Sequence, residues 1–220
     1  MDGSLTIHEP ITRQEVKQQL PPKGIRLKGF PKKKIPAGRI FYREHGLKGP
    51  WFFASGNTGR FNLDEPRGTI YLASTPRAAA LERIGPDAAL CGEIDISVVM
   101  NRYVSKLEYP ETVRPAALTA HRAIRWRILV NELTTLYLYD TPRAWAKVFD
   151  EAGFDGLWVT LRFSSPTARG LAIFGQAGSR SWPTDGNPIP LRRMCEEIGI
   201  TVMDRPHSNS LTIVQYLENT

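Results

Sequence analysis

The sequence predicts an α+β fold, and three observations carry that prediction. Segments of strand character outnumber helical ones along the 220 residues. Their connections are too irregular for the alternation of strand and helix that builds a doubly wound parallel sheet. The clearest strand, Thr69–Ala73, runs straight into a helix start at Thr75-Pro76. A chain of this length holds one large domain, or a domain with an extension. The expected division is a basic, Pro-rich N-terminal extension over residues 1–38 and a domain over 39–220.

Within the extension, Thr12 with Glu15 forms a capping box for a short helix through Leu20. The domain opens with a strand at Arg39–Glu44, rich in Ile40, Phe41 and Tyr42. A short aromatic strand or loop follows at Trp51–Ala54, then a glycine-rich turn, Ser55–Gly59. After Thr69–Ala73, Thr75 caps a helix with Pro76 in its first position, and Gly85-Pro86 is expected to stop it. That places Glu82 near the end of a short helix, where a carboxylate opposes the helix dipole. Leu90–Val99 and Arg102–Glu108 read as strands, and Ala116–Leu133 as an amphipathic helical region broken in the middle. Asp140-Thr141-Pro142 opens a further helix with Ala144, Trp145, Val148 and Phe149 on its apolar face, ended by Gly153. Phe154–Thr160 and Gly170–Phe174 read as buried strands, 189–198 as a last helix, and 200–204 and 210–217 as closing strands. There is no internal repeat.

Composition excludes several classes. No window approaches the roughly 18 uninterrupted apolar residues of a membrane span, and the N-terminus lacks the basic and apolar regions of a secretory signal. Cys91 and Cys195 make neither a disulfide framework nor a zinc site. The expected location is therefore the cytoplasm. A net charge of +7 has two readings, attraction to an anionic partner and a solubilising surface. Much of the excess lies in Lys23, Arg26, Lys28, Lys32, Lys33 and Lys34. Pro21, Pro22, Pro31 and Pro36 make that stretch an extended lead-in, and no nucleic-acid-binding motif accompanies it, so nucleic acid is not the expected partner.

Familiar catalytic signatures are missing: no phosphate loop, GxGxxG, HExxH or GxSxG occurs, and His8, His45, His121 and His207 lack metal-ligand spacing. His45 reads as an exposed loop residue. What remains is Arg43, Arg60, Tyr71 and Glu82, the last three at two intervals of eleven residues. Taken singly, the arginines read as surface cations, Tyr71 as core, and Glu82 as a solvated helix residue. Alternation along the strand sends Ile70 and Leu72 to the face opposite Tyr71. Taken together they suit an anionic nucleotide, because arginine presents a rigid fork of donors that matches phosphate.

It is in combination that these residues resemble a family, the RES-domain proteins, found as toxins of RES–Xre toxin–antitoxin pairs. FYR carries the family's first arginine onto Arg43. GRFN carries the second onto Arg60, with Phe61 in place of tryptophan. Tyr71-Leu72-Ala73 matches its aromatic strand, and TPRAAALE carries its glutamate onto Glu82. FDGLWV and LAIFG match two later strands, so the resemblance covers about residues 38–178. The family's serine falls on Leu161, before Arg162; Ser164 and Ser165 lie three or four residues further on.

The resemblance implies an ADP-ribosyltransferase-like split mixed β-sheet with flanking helices and NAD, as substrate, in its cleft. It implies cleavage of the nicotinamide–ribose bond by hydrolysis or phosphorolysis, with catalytic Glu82, Arg43 and Tyr71. Arg43, Arg60, Phe61, Tyr71 and Arg162 would bind the dinucleotide, with Phe61 or Trp51 walling the pocket, and no metal is needed. Growth inhibition, a cognate antitoxin carrying a helix-turn-helix domain, and a possible homodimer belong to the same expectation. ADP-ribosyl transfer to a protein and an NAD-binding module without turnover are the alternatives.

Overall fold

The computed structural model describes residues 17–135 and 138–204. The expected strand 210–217 and the capping box at Thr12 lie outside those residues. The described end of the expected first helix, 17–20, is not helical. Its polar groups are taken by the body instead: Gln18 Nε2 donates to the Arg127 carbonyl, Gln18 Oε1 accepts from Leu129 N, and Trp145 Nε1 donates to the Gln19 carbonyl. Tertiary hydrogen bonds outweigh weak local helix propensity here. The rest of the lead-in runs extended across the domain and buries Leu27, Phe30 and Ile35 in it.

The first strand, β1, spans Arg39–His45, and β2 is the short Phe52–Phe53. Then come β3 at Arg67–Ala73 and α1 at Pro76–Cys91. Next are β4 at Glu93–Asp95, α2 at Ile96–Val99, β5 at Tyr103–Tyr109 and β6 at Ala116–Ala117. A 3-10 helix at His121–Trp126, α3 at Val130–Thr135 and α4 at Asp140–Glu151 follow. The chain continues through β7 at Gly156–Thr160, β8 at Arg169–Gln176, β9 at Gly178–Ser179 and β10 at Ile189–Pro190. Last are α5 at Leu191–Ile198 and β11 at Thr201–Met203.

Four expectations are corrected. Helix α1 does not stop at Gly85-Pro86 but continues through Pro86 to a left-handed cap at Gly92, whose N–H bonds the Ala88 carbonyl. An internal proline costs a helix one hydrogen bond and a steric clash, and the buried Ala78, Ala79, Ala80, Ile84 and Gly85 hold the helix on the sheet regardless. Glu82 is therefore mid-helix, away from the helix end where its carboxylate would oppose the dipole. Of the expected strand 90–99, only β4 forms: Leu90 and Cys91 finish α1, and Asp95 accepts from Ser97 N to open α2. Residues 116–133 divide into β6, the 3-10 helix and the start of α3, broken where Arg127 turns left-handed. In 189–198 the first two residues pair with β5 before α5 begins.

Seven strands form a mixed sheet in the order β10-β5-β1-β3-β8-β7-β6, antiparallel except for β6 beside β7. Strand β1 runs the length of β5 in register, yet meets β3 at Tyr42↔Ala73 only. The sheet is split there. At the start of β7, a side chain at Gly156 would run into the Ala172 carbonyl of β8, which accounts for glycine in that turn.

Alternation along β3 sorts the core. Ile70 and Leu72 join Phe41, Trp51, Phe53, Tyr109 and Leu171 on one face. On the other face there are two clusters. Tyr71 packs against one built from Phe61, Trp145, Phe149 and Leu157, and Ala73 belongs to one built from α1 and α5 with Val104. The seam between these helical groups falls between Tyr71 and Ala73 on β3.

Candidate functional site

Four of the residues singled out in the sequence converge on this seam. Arg43 lies opposite Ser105 in the β1–β5 register, and its Nη1 donates to the Pro50 carbonyl at 2.7 Å. Burial lowers its guanidinium to about 10, against the opposing pull of Glu44 and the Tyr71 phenol. A cation held this far out of water is electrostatically costly and ready to accept an anion.

The Gly59–Asn62 turn folds over the end of Tyr71. Its hydroxyl accepts from Phe61 N at 2.8 Å and donates to Asn62 Oδ1 at 2.9 Å. A Cβ at Gly59 would collide with both the Asn62 amide and the Tyr71 hydroxyl, so this close approach requires glycine. Burial pushes the Tyr71 phenol well up, which keeps it protonated. Arg60 leaves this turn towards α3 and α4. Its Nη1 donates to the Thr134 carbonyl, its guanidinium carbon lies 5.3 Å from the centre of the Tyr139 ring, and its buried Nε has no partner among the described residues.

Glu82 extends from α1 to the backbone that follows β7, where Oε1 accepts from Phe163 N at 3.1 Å. Burial raises its carboxyl, and the Phe163 amide, the Arg60 guanidinium, and the Arg162 amide and guanidinium oppose that rise. One helical turn beyond Glu82, a side chain at Gly85 would strike the Phe163 ring. The glycine expected as a helix stop thus makes room for the segment that orients Glu82. Arg162 is exposed, its guanidinium carbon 5.0 Å from the centre of the Phe163 ring.

Other expected residues are placed differently. Phe61 is buried in the core, so this turn presents backbone to the site, not an aromatic wall. Trp51 does not wall the seam: it packs with Tyr109 and Trp182 across the sheet and donates to the Pro183 carbonyl. Leu161 packs with the α1–α5 cluster. Of the two nearby serines, Ser165 is engaged with the Thr167 hydroxyl, whereas Ser164 Oγ is buried without a partner among the described residues. His45 is half-buried at the end of β1, not on an exposed loop, with Nε2 2.8 Å from Ser105 Oγ and Nδ1 3.0 Å from the Gly46 carbonyl.

The site is a consolidated cluster of perturbed polar groups, and chemistry locates it better than empty volume does. A cavity of about 360 Å³ beside Phe52, Ser55, Gln176 and Gly178 has one ionisable group, Glu65, within hydrogen-bond reach of Ser55. A second, of about 210 Å³, shares Asn62 with the cluster and is lined by Asp64, Asp140, Arg143 and Lys147. Neither contains Arg43, Arg60, Tyr71 or Glu82. Among the described residues no three His, Cys, Asp or Glu are grouped to hold a metal, and no helix is long and apolar enough to cross a membrane. Sequence reasoning missed Asn62, Tyr139 and the Thr134 carbonyl. Asn62 stood in the GRFN element; the other two carry no local signal.

Comparison with known proteins identifies the family and the fold. The family model of the RES domain matches residues 36–191. No curated protein matches the chain. A chain of the crystal structure of the M. tuberculosis MbcT–MbcA toxin–antitoxin complex is similar in fold, with a TM-score of 0.51 at 18% identity, covering 74% of this chain and 90% of that one. The expected α+β, ADP-ribosyltransferase-like architecture, with its split mixed sheet and flanking helices, is the one observed.

Proposed function

The chain belongs to the RES-domain family, and from that premise we propose that it is an NAD-consuming enzyme, the toxin of a toxin–antitoxin pair. The observation that carries this reading is Glu82: a half-buried carboxylate fixed by a backbone amide, with Arg60 and Arg162 close enough to stabilise its charge. Cleavage of the nicotinamide–ribose bond leaves its electron pair on the nicotinamide nitrogen and positive charge on the ribose, as in glycoside cleavage. A fixed carboxylate stabilises that charge as it forms. Glu82 takes this role, and ribose hydroxyls are natural donors to its second oxygen.

The arginines supply anion recognition. Arg60 has a buried Nε–H without an acceptor among the described residues, a donor that a pyrophosphate oxygen satisfies. Arg43, desolvated and still cationic below about pH 10, supplies a second positive charge for the pyrophosphate or an incoming phosphate. The Tyr71 phenol, held protonated and hydrogen-bonded at both ends, is not a base. It holds the Arg60 turn in place and offers its ring to the nicotinamide. Ser164, with its free hydroxyl, stands in for the family's serine. Water or phosphate accepts the ribosyl carbon, and the antitoxin partner, with a helix-turn-helix domain, holds the activity in check.

The binding-module reading draws on the Leu161 departure. It predicts NAD binding without product, whereas the enzymatic reading predicts free nicotinamide. Purified protein is incubated with adenine-labelled NAD, with and without phosphate. Release of nicotinamide with label in free ADP-ribose or its phosphate supports the proposal, and label on a protein marks transfer. Glu82→Ala and Arg43→Ala abolish NAD loss in folded protein. A folded wild type that leaves NAD intact under both conditions overturns the reading.

A further inference from the structure

Arg60 is held from two sides by chain remote from it in sequence. At the end of α3 the Thr134 carbonyl takes Nη1, and at the start of α4 the guanidinium carbon lies over the Tyr139 ring, 5.3 Å from its centre. Tyr139 occupies the N-cap position of α4 but makes no side-chain cap hydrogen bond. The Tyr139 and Tyr71 phenols lie close enough for their charges to interact, which puts Tyr139 at the same seam as the cluster. Its mount is rigid: Pro142, Trp145, Ala146 and Phe149 of α4 are buried.

We propose that Tyr139 is a positioning residue for the dinucleotide site, clamping the plane of Arg60 so that its unpartnered Nε–H stays aimed at an anionic oxygen of the substrate. This rests on the NAD-consuming reading and adds a residue outside the matched motifs. The ring does the work, through cation–π contact in a desolvated setting. The hydroxyl does not contribute, so phenylalanine is an adequate replacement and alanine is not. Because Tyr139 acts through Arg60, its contribution vanishes when Arg60 is absent.

The test is a double-mutant cycle on NAD kinetics. Tyr139→Phe keeps KM within about twofold, while Tyr139→Ala raises KM about fivefold with kcat within about twofold. Added to Arg60→Ala, Tyr139→Ala changes KM no further. An unchanged KM in Tyr139→Ala, a Tyr139→Phe as impaired as alanine, or an additive penalty in the Arg60→Ala background each overturns the proposal. A second readout needs no turnover: the Arg60 Nε–H resonance exchanges slowly in wild type and Tyr139→Phe, and about tenfold faster or more in Tyr139→Ala. Equal exchange in all three overturns the clamp. A folded wild type that leaves NAD intact defeats the functional reading instead, and this resonance still reports whether Tyr139 holds Arg60.

Discussion

Strand β3 sends neighbouring side chains into two regions built on opposite principles. Ile70 and Leu72 face an aromatic cluster in which Trp51, Tyr109 and Trp182 meet edge to face or tilted, with ring centres 5.1–6.1 Å apart. The Trp51 indole N–H there bonds the Pro183 carbonyl. Tyr71, between them in sequence, faces the opposite way, towards a depressed guanidinium, a raised carboxyl and a buried arginine Nε with no acceptor among the described residues. The first region packs ring against ring, and it stabilises the fold. The second holds polar groups away from water without fully pairing them, and that destabilises the fold in exchange for readiness to bind charge. One strand serves both, because its side chains alternate between its faces.

Substitutions on the two faces separate these roles. Trp51→Ala, on the aromatic face, loses about 3–5 kcal/mol of stability in a urea titration, while nicotinamide release per folded molecule stays at the wild-type rate. A fall in the intrinsic rate would break the comparison. Tyr71→Phe leaves Phe61 N without its acceptor and Asn62 Oδ1 without its donor. It loses about 1–3 kcal/mol and also raises KM, since the same turn carries Arg60; a change in stability alone would reduce Tyr71 to core. The smallest effect is in pH dependence. Desolvation raises Glu82, so the acid limb of the rate profile lies above the ordinary carboxylate value. The sign for stability follows: a carboxyl raised on folding contributes stability below its unfolded value and loses it as pH climbs through its folded value. Neutral Gln at this position is accordingly at least as stable as wild type at pH 7, read from melting temperature.

Much of this was legible in the sequence, for physical reasons that can be named. β3 and the start of α1 were readable because alternation, a Thr cap and Pro in the first turn are local signals, and Thr75 accepts from Ala78 N as expected. The far end of α1 was not, because the burial of Ile84 and Gly85 against distant elements decides whether a proline ends a helix. The same limit governs the cluster. Arg43, Arg60, Tyr71 and Glu82 were identifiable from their motifs. Tyr139 and the Thr134 carbonyl reach Arg60 only through the tertiary fold, and Trp51 sits near Arg43 in sequence yet belongs to the other face. Gly85 was read as punctuation, and its use is to admit Phe163 beside Glu82.

The most direct test of the central claim measures nicotinamide release and melting temperature together for wild type and Glu82→Gln. The account predicts release by the wild type, a loss of at least about a hundredfold in the variant, and a melting temperature that does not fall. Release that survives the substitution, or that falls only together with the melting temperature, would contradict it.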